Sequence, residues 1–362
     1  MKIYKIKEIC HLEKGKQIDT TLLSDGNPYK YINGGIKESG YYSTYNTEGE
    51  AVLVSEGGAS CGYVNYINEK FWCGCHCYKL TQCKFLPKYI YYALKGNQEK
   101  LMALRTGAAM PNIKKTTFQD MELCLSENSA EQEKVINELD KIQNTIDIKK
   151  AELIGLDDLV KSRFIEMFGD PQLNPMLFEI KQLKDTCNVI TGNTPSRKKA
   201  EYYGDFIEWI KTDNINPDLL YPTKAAESLS NIGIKKAKTV DKNAILMACI
   251  AGSTSSIGKV CITNRKVAFN QQINAIVPFE YNVIFLYVML QLSKDYLIDG
   301  LSMSLKGILS KSKLEAKCFI LPPTELQNEF AEFVKLTDKS KFVYQFTLSI
   351  FYAIFLHFRH PP

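Results

Sequence analysis

The sequence predicts a mixed α/β protein built as two similar lobes, each followed by a helix, in a pseudo-repeat of about 195 residues. Three observations lead there. At 362 residues, with 45% apolar and 23% charged residues, the chain is folded but too long for one typical core. The stretch SENSAEQEKVINEL at 126–139 returns as LPPTELQNEFAEFV at 321–334, with Gln132 and Gln327 at the same place. Between the two copies, apolar residues recur at helical rather than strand spacing.

Within each lobe the echo continues. EAVLVSEGGASCGYVNYINEKFW (50–72) lies opposite NAILMACIAGSTSSIGKVCITNRKVA (243–268), with Gly62 and Gly258, and Lys70 and Lys266, offset by 196. YKIKEICHLEKG (4–15) matches FEIKQLKDTCNVITG (178–192), and the second copy then carries roughly twenty additional residues. Alternation and β-branched or aromatic runs predict strands over 51–55, 62–67, 244–250, 259–263 and 275–278. A helix follows in each lobe, over 86–101 and 281–297.

The connecting segment places Val135, Leu139, Ile142, Ile146, Lys149, Leu153, Leu156, Val160, Arg163 and Met167 at alternating steps of four and three. That is a heptad seam with Lys149 and Arg163 as polar interruptions. Ser129 with Gln132 three residues on reads as a capping box, and Gly169-Asp170-Pro171 as a stop. A helix over about 130–168 follows, roughly 55–60 Å long at 1.5 Å per residue. It serves as a spacer or docking rod, or else packs on its own lobe. The expected divisions are a first lobe over 1–125, a helix over 126–170, a second lobe over 171–321 and a second helix from 322. That helix follows the first to about Lys341; from Phe342 the apolar sequence FVYQFTLSIFYAIFLHFRHPP loses the seam, as a truncated or frame-shifted end would.

Charge follows the same divisions. Lys and Arg outnumber Asp and Glu by 16 to 12 in 1–125 and 19 to 13 in 171–320, whereas 126–170 holds 6 against 11. Basic lobes suit a polyanion and an acidic connector suits protein, although excesses this small also arise by chance. The eleven cysteines come without a secretory leader in MKIYKIKEIC, so reduced thiols in a cytoplasm are expected. Residues 1–341 hold no run long enough to span a bilayer, and 342–358 is marginal for one.

Together, LPPTELQNEFAEFVKLTDKSK (321–341), AEQEKVINELDKIQNTIDIKKAELIGLDDLVKSRFIEMFGDP (130–171) and TGNTPSRKKAEYYGDFIEWIKTDNI (191–215) resemble the specificity subunit of type I restriction–modification systems over residues 1–341. The resemblance implies a non-catalytic reader of double-stranded DNA without cofactor or metal. Its two target recognition domains would each read half of a bipartite, asymmetric site, and its spacer helices would form an antiparallel coiled coil. Those helices would dock two methyltransferase subunits, through which restriction subunits join, with no membrane involved. Gln132, Val135, Leu139, Ile142, Ile146, Leu153, Leu156 and Val160, with Gln327, Phe330, Phe333 and Val334, are the residues expected to meet such partners.

On DNA, the expected contacts are loop residues. Thr194, Ser196, Arg197, Lys198 and Lys199 form a basic turn suited to phosphate, or a merely solvated one. Lys211, Thr212, Asp213 and Asn214 could reach base edges, or simply turn the chain at a strand end. Asn33 is a further candidate. The matching Gly/Ser loops contribute Ser55, Gly57, Gly58, Ser253 and Thr254, whose amides could cradle phosphate or form hairpin turns. Lys114 and Lys115 recur as Lys306 and Lys311 in a basic loop that also holds Asn112 and Lys313.

Competing chemistry is thinly represented. FWCGCHCY (71–78) could be a zinc site, but as a strand it places Cys73, Cys75 and Cys77 on one face and His76 on the other. Asn174-Pro175-Met176 and Asn216-Pro217-Asp218 lack the second Pro and the aromatic of an adenine methyltransferase motif, and no Walker A sequence occurs. Asp170 with Glu179-Ile180-Lys181 has the loose spacing of a metal-dependent nuclease, the enzyme alternative; a coiled-coil scaffold that binds no DNA is the other.

Overall fold

The computed structural model describes residues 1–107, 109–251, 256–300 and 307–357. It forms two compact units, one comprising Met1–Ala151 and the chain from Gln345, the other Glu152–Tyr344.

In the first unit, Lys2–Lys5 pairs antiparallel with Glu122–Leu125, so the lobe's first and last strands close on each other. A four-stranded sheet runs in the order His11–Lys14, Cys77–Thr81, Ala51–Ser55, Val64–Ile67. Beside it lies a three-stranded sheet of Tyr41–Tyr42, Tyr29–Ile32 and Phe71–Cys73, the last two parallel. The run AVLVS is apolar because it is buried on both faces. Val52 and Val54 pack with Ile90, Leu94 and Phe118 beneath, whereas Ala51 and Leu53 pack with Ile32, Phe71 and Cys77.

The second unit repeats this plan. Glu179–Gln182 pairs with Cys318–Leu321, and the four-stranded order becomes Cys187–Thr191, Ile273–Pro278, Ile245–Ala248, Val260–Ile262. The parallel pair recurs as Ile207–Ile210 with Val267–Phe269. Ser228–Leu229 takes the place of Tyr41–Tyr42, and Tyr203–Gly204 and Thr239–Val240 on the two edges widen the second sheet to five strands.

Several local expectations are corrected. The strand expected over 244–250 divides into Ile245–Ala248 and Ile250–Ala251, which join different sheets. The lobe helices are each broken once, into Pro87–Gly96 and Gln98–Ala103, and into Val283–Leu292 and Lys294–Ile298. At the first break the Asn97 side chain donates back to Ala93 O at 2.9 Å, competing with the helical ladder. FWCGCHCY is not one strand: it crosses from one sheet to the other through a turn at 74–76.

The connecting helix spans Ser129–Phe168 and the second long helix Thr324–His357. The cap of the first is Asn128, whose Oδ1 accepts from the amides of Ala130 at 3.0 Å and Glu131 at 3.4 Å, and not the Ser129–Gln132 box. Its seam faces inward. Val135 and Ile136 pack on the first lobe, and Leu139 is buried against Tyr92, whose hydroxyl, with Lys88, holds Asp140. Toward the other end, Val160, Phe164 and Phe168 enter the second lobe's core with Phe285 and Phe330. Over Glu152–Tyr344 the two long helices run antiparallel: Asp157 meets Lys341, Arg163 meets Glu329 at 3.0 Å, and Phe168 meets Phe330 at 5.6 Å. The expected loss of the seam after Lys341 is corrected: the helix continues and inward positions keep the heptad steps, with Phe330, Val334, Thr337, Lys341, Tyr344 and Leu348 all buried or half-buried. No helix among the described residues is long and apolar enough to cross a membrane.

Candidate nucleic-acid interface

Each lobe's loop face is organised by the same glycine. Gly15 donates to Cys77 O at 3.4 Å and Lys16 to Cys73 O at 2.9 Å; Gly192 donates to Ile273 O at 3.0 Å and Asn193 to Phe269 O at 3.2 Å. The acceptors are offset by 196 residues, so this is one joint made twice. A Cβ on Gly15 would lie 2.3 Å from Cys73 O, and one on Gly192 would lie 2.1 Å from Asn270 O, so neither position admits a side chain. An indole braces both loops: Trp72 Nε1 donates to Lys16 O at 2.8 Å and Trp209 Nε1 to Asn193 O at 3.3 Å.

A second joint is also duplicated. Ile113 N donates to Glu56 O and Leu309 N to Cys249 O, both at 2.9 Å, seating 111–113 on the Gly/Ser loop of the first lobe and 307–309 on residues 249–251 of the second. This joint corrects the amide-cradle expectation in the first lobe. Gly58 N is bonded to Pro111 O, Gly62 N to Ser55 O, Gly57 bridges Asn112, and Ser55 is buried. These groups are already satisfied, so they join two segments of the lobe and leave no open amides for phosphate. Ser253, Thr254 and Lys306 lie outside the described residues.

The remaining candidates divide by what they touch. Asn33 is committed: its Oδ1 accepts from His76 N at 3.2 Å and steadies the 74–76 turn. Asn214 is buried, accepting from Lys211 N and donating to Thr223 and Lys224, so it builds a turn and reads no base. Arg197 and Lys211 both pair with Glu227, at 2.7 and 2.5 Å, and lie over Trp209. The two cations hold the Glu227 carboxyl below its ordinary range. Thr194 is bonded to Gln271, and Lys311 pairs with Glu315 at 3.5 Å. Thr212 is half-buried, and Asp213 and Ser196 are exposed. Lys114, Lys115 and Lys198 are exposed and, among the described residues, make no ion pair; Lys199 is exposed beside the Tyr202 ring.

Sequence reasoning passed over Lys16 and the run KKAK at 235–238. The signal was present: three lysines within four residues. It lay unread because only the fold brings that run against the glycine joint. Asn193 donates to Lys236 O and accepts from Lys238 N, both at 2.7 Å.

The partner-facing set is corrected as well. Gln132 and Gln327 are buried and bond within their own lobes, to Leu86 N and Ser126 O in one and Asn282 N and Pro322 O in the other. Leu139, Ile146, Val160, Phe330 and Val334 are buried; Val135, Ile142, Leu153, Leu156 and Phe333 are half-buried. Exposed apolar residues lie on other faces: Ile148, Ile154, Leu159 and Ile165 on the first long helix, and Leu336, Val343 and Ile350 on the second.

Chemistry is sparse. Among the described residues no three His, Cys, Asp or Glu side chains are placed to hold a metal. Cys73 and Cys77 are buried, and the hydrogen bond between them, together with burial, pushes the Cys77 thiol up. Asp170 caps its own turn through the amides of Gln172 and Leu173, and Lys181 pairs with Glu280 at 2.9 Å.

Two pseudo-equivalent α/β lobes with basic loops, joined by long helices, define a tandem-lobed module of the kind that reads nucleic acid. A family model of the type I restriction modification DNA specificity domain matches residues 1–157 and 175–342, and the chain belongs to that family. It is 33% identical over 120 residues to the Type I restriction enzyme HindI specificity subunit of Haemophilus influenzae, covering 32% of this chain and 25% of that one. It is 28% identical over 248 residues to a candidate type I specificity subunit of Mycoplasma genitalium, covering 63% and 64% of the two chains. These matches span under two thirds of the relatives' lengths. The crystal structure of a type I S subunit from M. genitalium shares the fold, with a TM-score of 0.61 and 21% identity over 100% of this chain and 96% of that one. A subunit from a study of type I complex assembly matches at 0.54, with 13% identity over 99% and 96%.

Proposed function

We propose that this chain is the DNA-specificity subunit of a type I restriction–modification enzyme, contributing recognition and no catalytic step of its own. The carrying observation is the duplicated glycine joint: the same backbone frame presents Lys16 and its neighbours in one lobe and residues 193–199 in the other. One frame with two sets of side chains suits two unlike half-sites.

Methyltransferase subunits, two by the pseudo-repeat, dock on the exposed apolar faces of the long helices, and restriction subunits join through them. The complex acts in the cytoplasm. Co-purification with the methyltransferase subunit, followed by methylation mapping on mixed-sequence DNA, tests this reading. The expected result is two short half-sites at one fixed separation. A stable complex that methylates without such a bipartite pattern overturns it.

A further inference from the structure

Resting on that reading, we infer that the second lobe carries a dedicated binding surface for the DNA sugar–phosphate backbone, which the first lobe lacks. It is made by Lys235, Lys236 and Lys238 together with Lys198 and Lys199. All five are exposed. None makes an ion pair among the described residues.

The two segments that hold them are laced together by backbone-directed bonds. Asn193 bonds Lys236 O and Lys238 N at 2.7 Å each; Ser230 N donates to Tyr202 O at 3.0 Å; Tyr203 Oη donates to Pro195 O at 2.7 Å. A Cβ on Gly233 would lie 1.9 Å from Tyr202 O, so the segments approach as closely as glycine permits. The neighbouring acids are fewer than the lysines: Glu227 is taken up by Arg197 and Lys211, Asp241 lies 3.7 Å from Lys266, and Glu201 and Asp205 add exposed negative charge.

Five cations on a braced surface match the repeating charge of a duplex strand and require no pocket. They position the lobe; they do not specify sequence. The stretch of the first lobe in the same place, residues 43–46 between Tyr41–Tyr42 and the Thr47 bridge, is shorter and holds no lysine, so the asymmetry between lobes is one of affinity as well as sequence.

The test uses the full chain purified with its methyltransferase subunits and a mixed-sequence duplex of about forty base pairs. Binding is measured from 50 to 200 mM salt for the wild type and for the triple variant Lys235→Ala, Lys236→Ala, Lys238→Ala. Each phosphate contact contributes about 0.9 to the slope of log affinity against log salt, so three lost contacts lower it by about 2.7. Over that fourfold range the wild type then loses roughly 40-fold more affinity than the variant. Arginine at the same three positions restores the slope, which a folding defect would not allow. An unchanged slope in the triple variant overturns this surface and leaves the DNA reading intact, whereas a wild-type complex with no salt-dependent duplex binding overturns both.

Discussion

Gln132 and Gln327 each join three pieces of a lobe: the long helix they sit on, the amide that opens the lobe helix, and the carbonyl that ends the last strand. Truncating Gln327 to Ala leaves Asn282 N and Pro322 O without that partner in a buried place. The expected loss is about 2–3 kcal/mol of unfolding free energy, read by urea denaturation. Glu127 plays an exposed counterpart, accepting from Lys2 at 2.7 Å, Tyr4 at 2.5 Å and Lys84 at 3.2 Å, and these donors hold its carboxyl at about 2 against an ordinary 4.5. Because the folded value is depressed, its contribution is full above about 4.5 and disappears as pH falls toward 2. The variant Glu127→Gln should therefore be less stable than wild type at pH 6 and converge with it near pH 2 in the same denaturation series. The glutamines stand out in the sequence as a repeated letter, but repetition does not say which way a side chain points. Their burial follows from bonds to residues 46 and 45 positions away, which no local pattern encodes.

For the long helices, existence and most limits were legible: a helix expected from about 130 to 168 is found at Ser129–Phe168, and the second starts at Thr324, but it runs on to His357, past the Lys341 at which its pattern was expected to end. Orientation was not, because two apolar stripes share each helix. On the second, Phe330, Val334, Thr337, Lys341, Tyr344 and Leu348 turn inward, while Leu336, Val343 and Ile350 repeat every seven residues on an exposed face. The sequence shows the stronger inward stripe, and a seam reads alike whether its partner is the same chain or another. The two stripes separate under mutation. Phe330→Ala opens a cavity among Phe164, Phe168 and Phe285 and should cost about 3–5 kcal/mol in denaturation. The pair Leu336→Glu, Val343→Glu should keep the thermal midpoint within about 2 °C, since both side chains face solvent. It should nevertheless abolish co-purification with the methyltransferase subunit; retained binding would remove that face from the interface.

At the scale of the molecule, the consequence of building one frame twice is that each lobe can change alone. The first closes on itself through Lys2–Lys5 and Glu122–Leu125, the second through Glu179–Gln182 and Cys318–Leu321, and each has its own sheets and core. The second lobe's loops hang from strands that begin and end inside that frame, so exchanging them leaves the closing strands and the helical seam untouched. Energetic effects at sites without shared partners add with little coupling. Replacing residues 191–278 by the matching segment of a relative should therefore alter the half-site read by the second lobe, preserve the other half-site, and keep their separation. Methylation mapping of the exchanged chain in its complex reads all three at once. A change in both half-sites would mean that the lobes read DNA jointly, and the duplicated joint would then be a device of folding with no bearing on the division of the site.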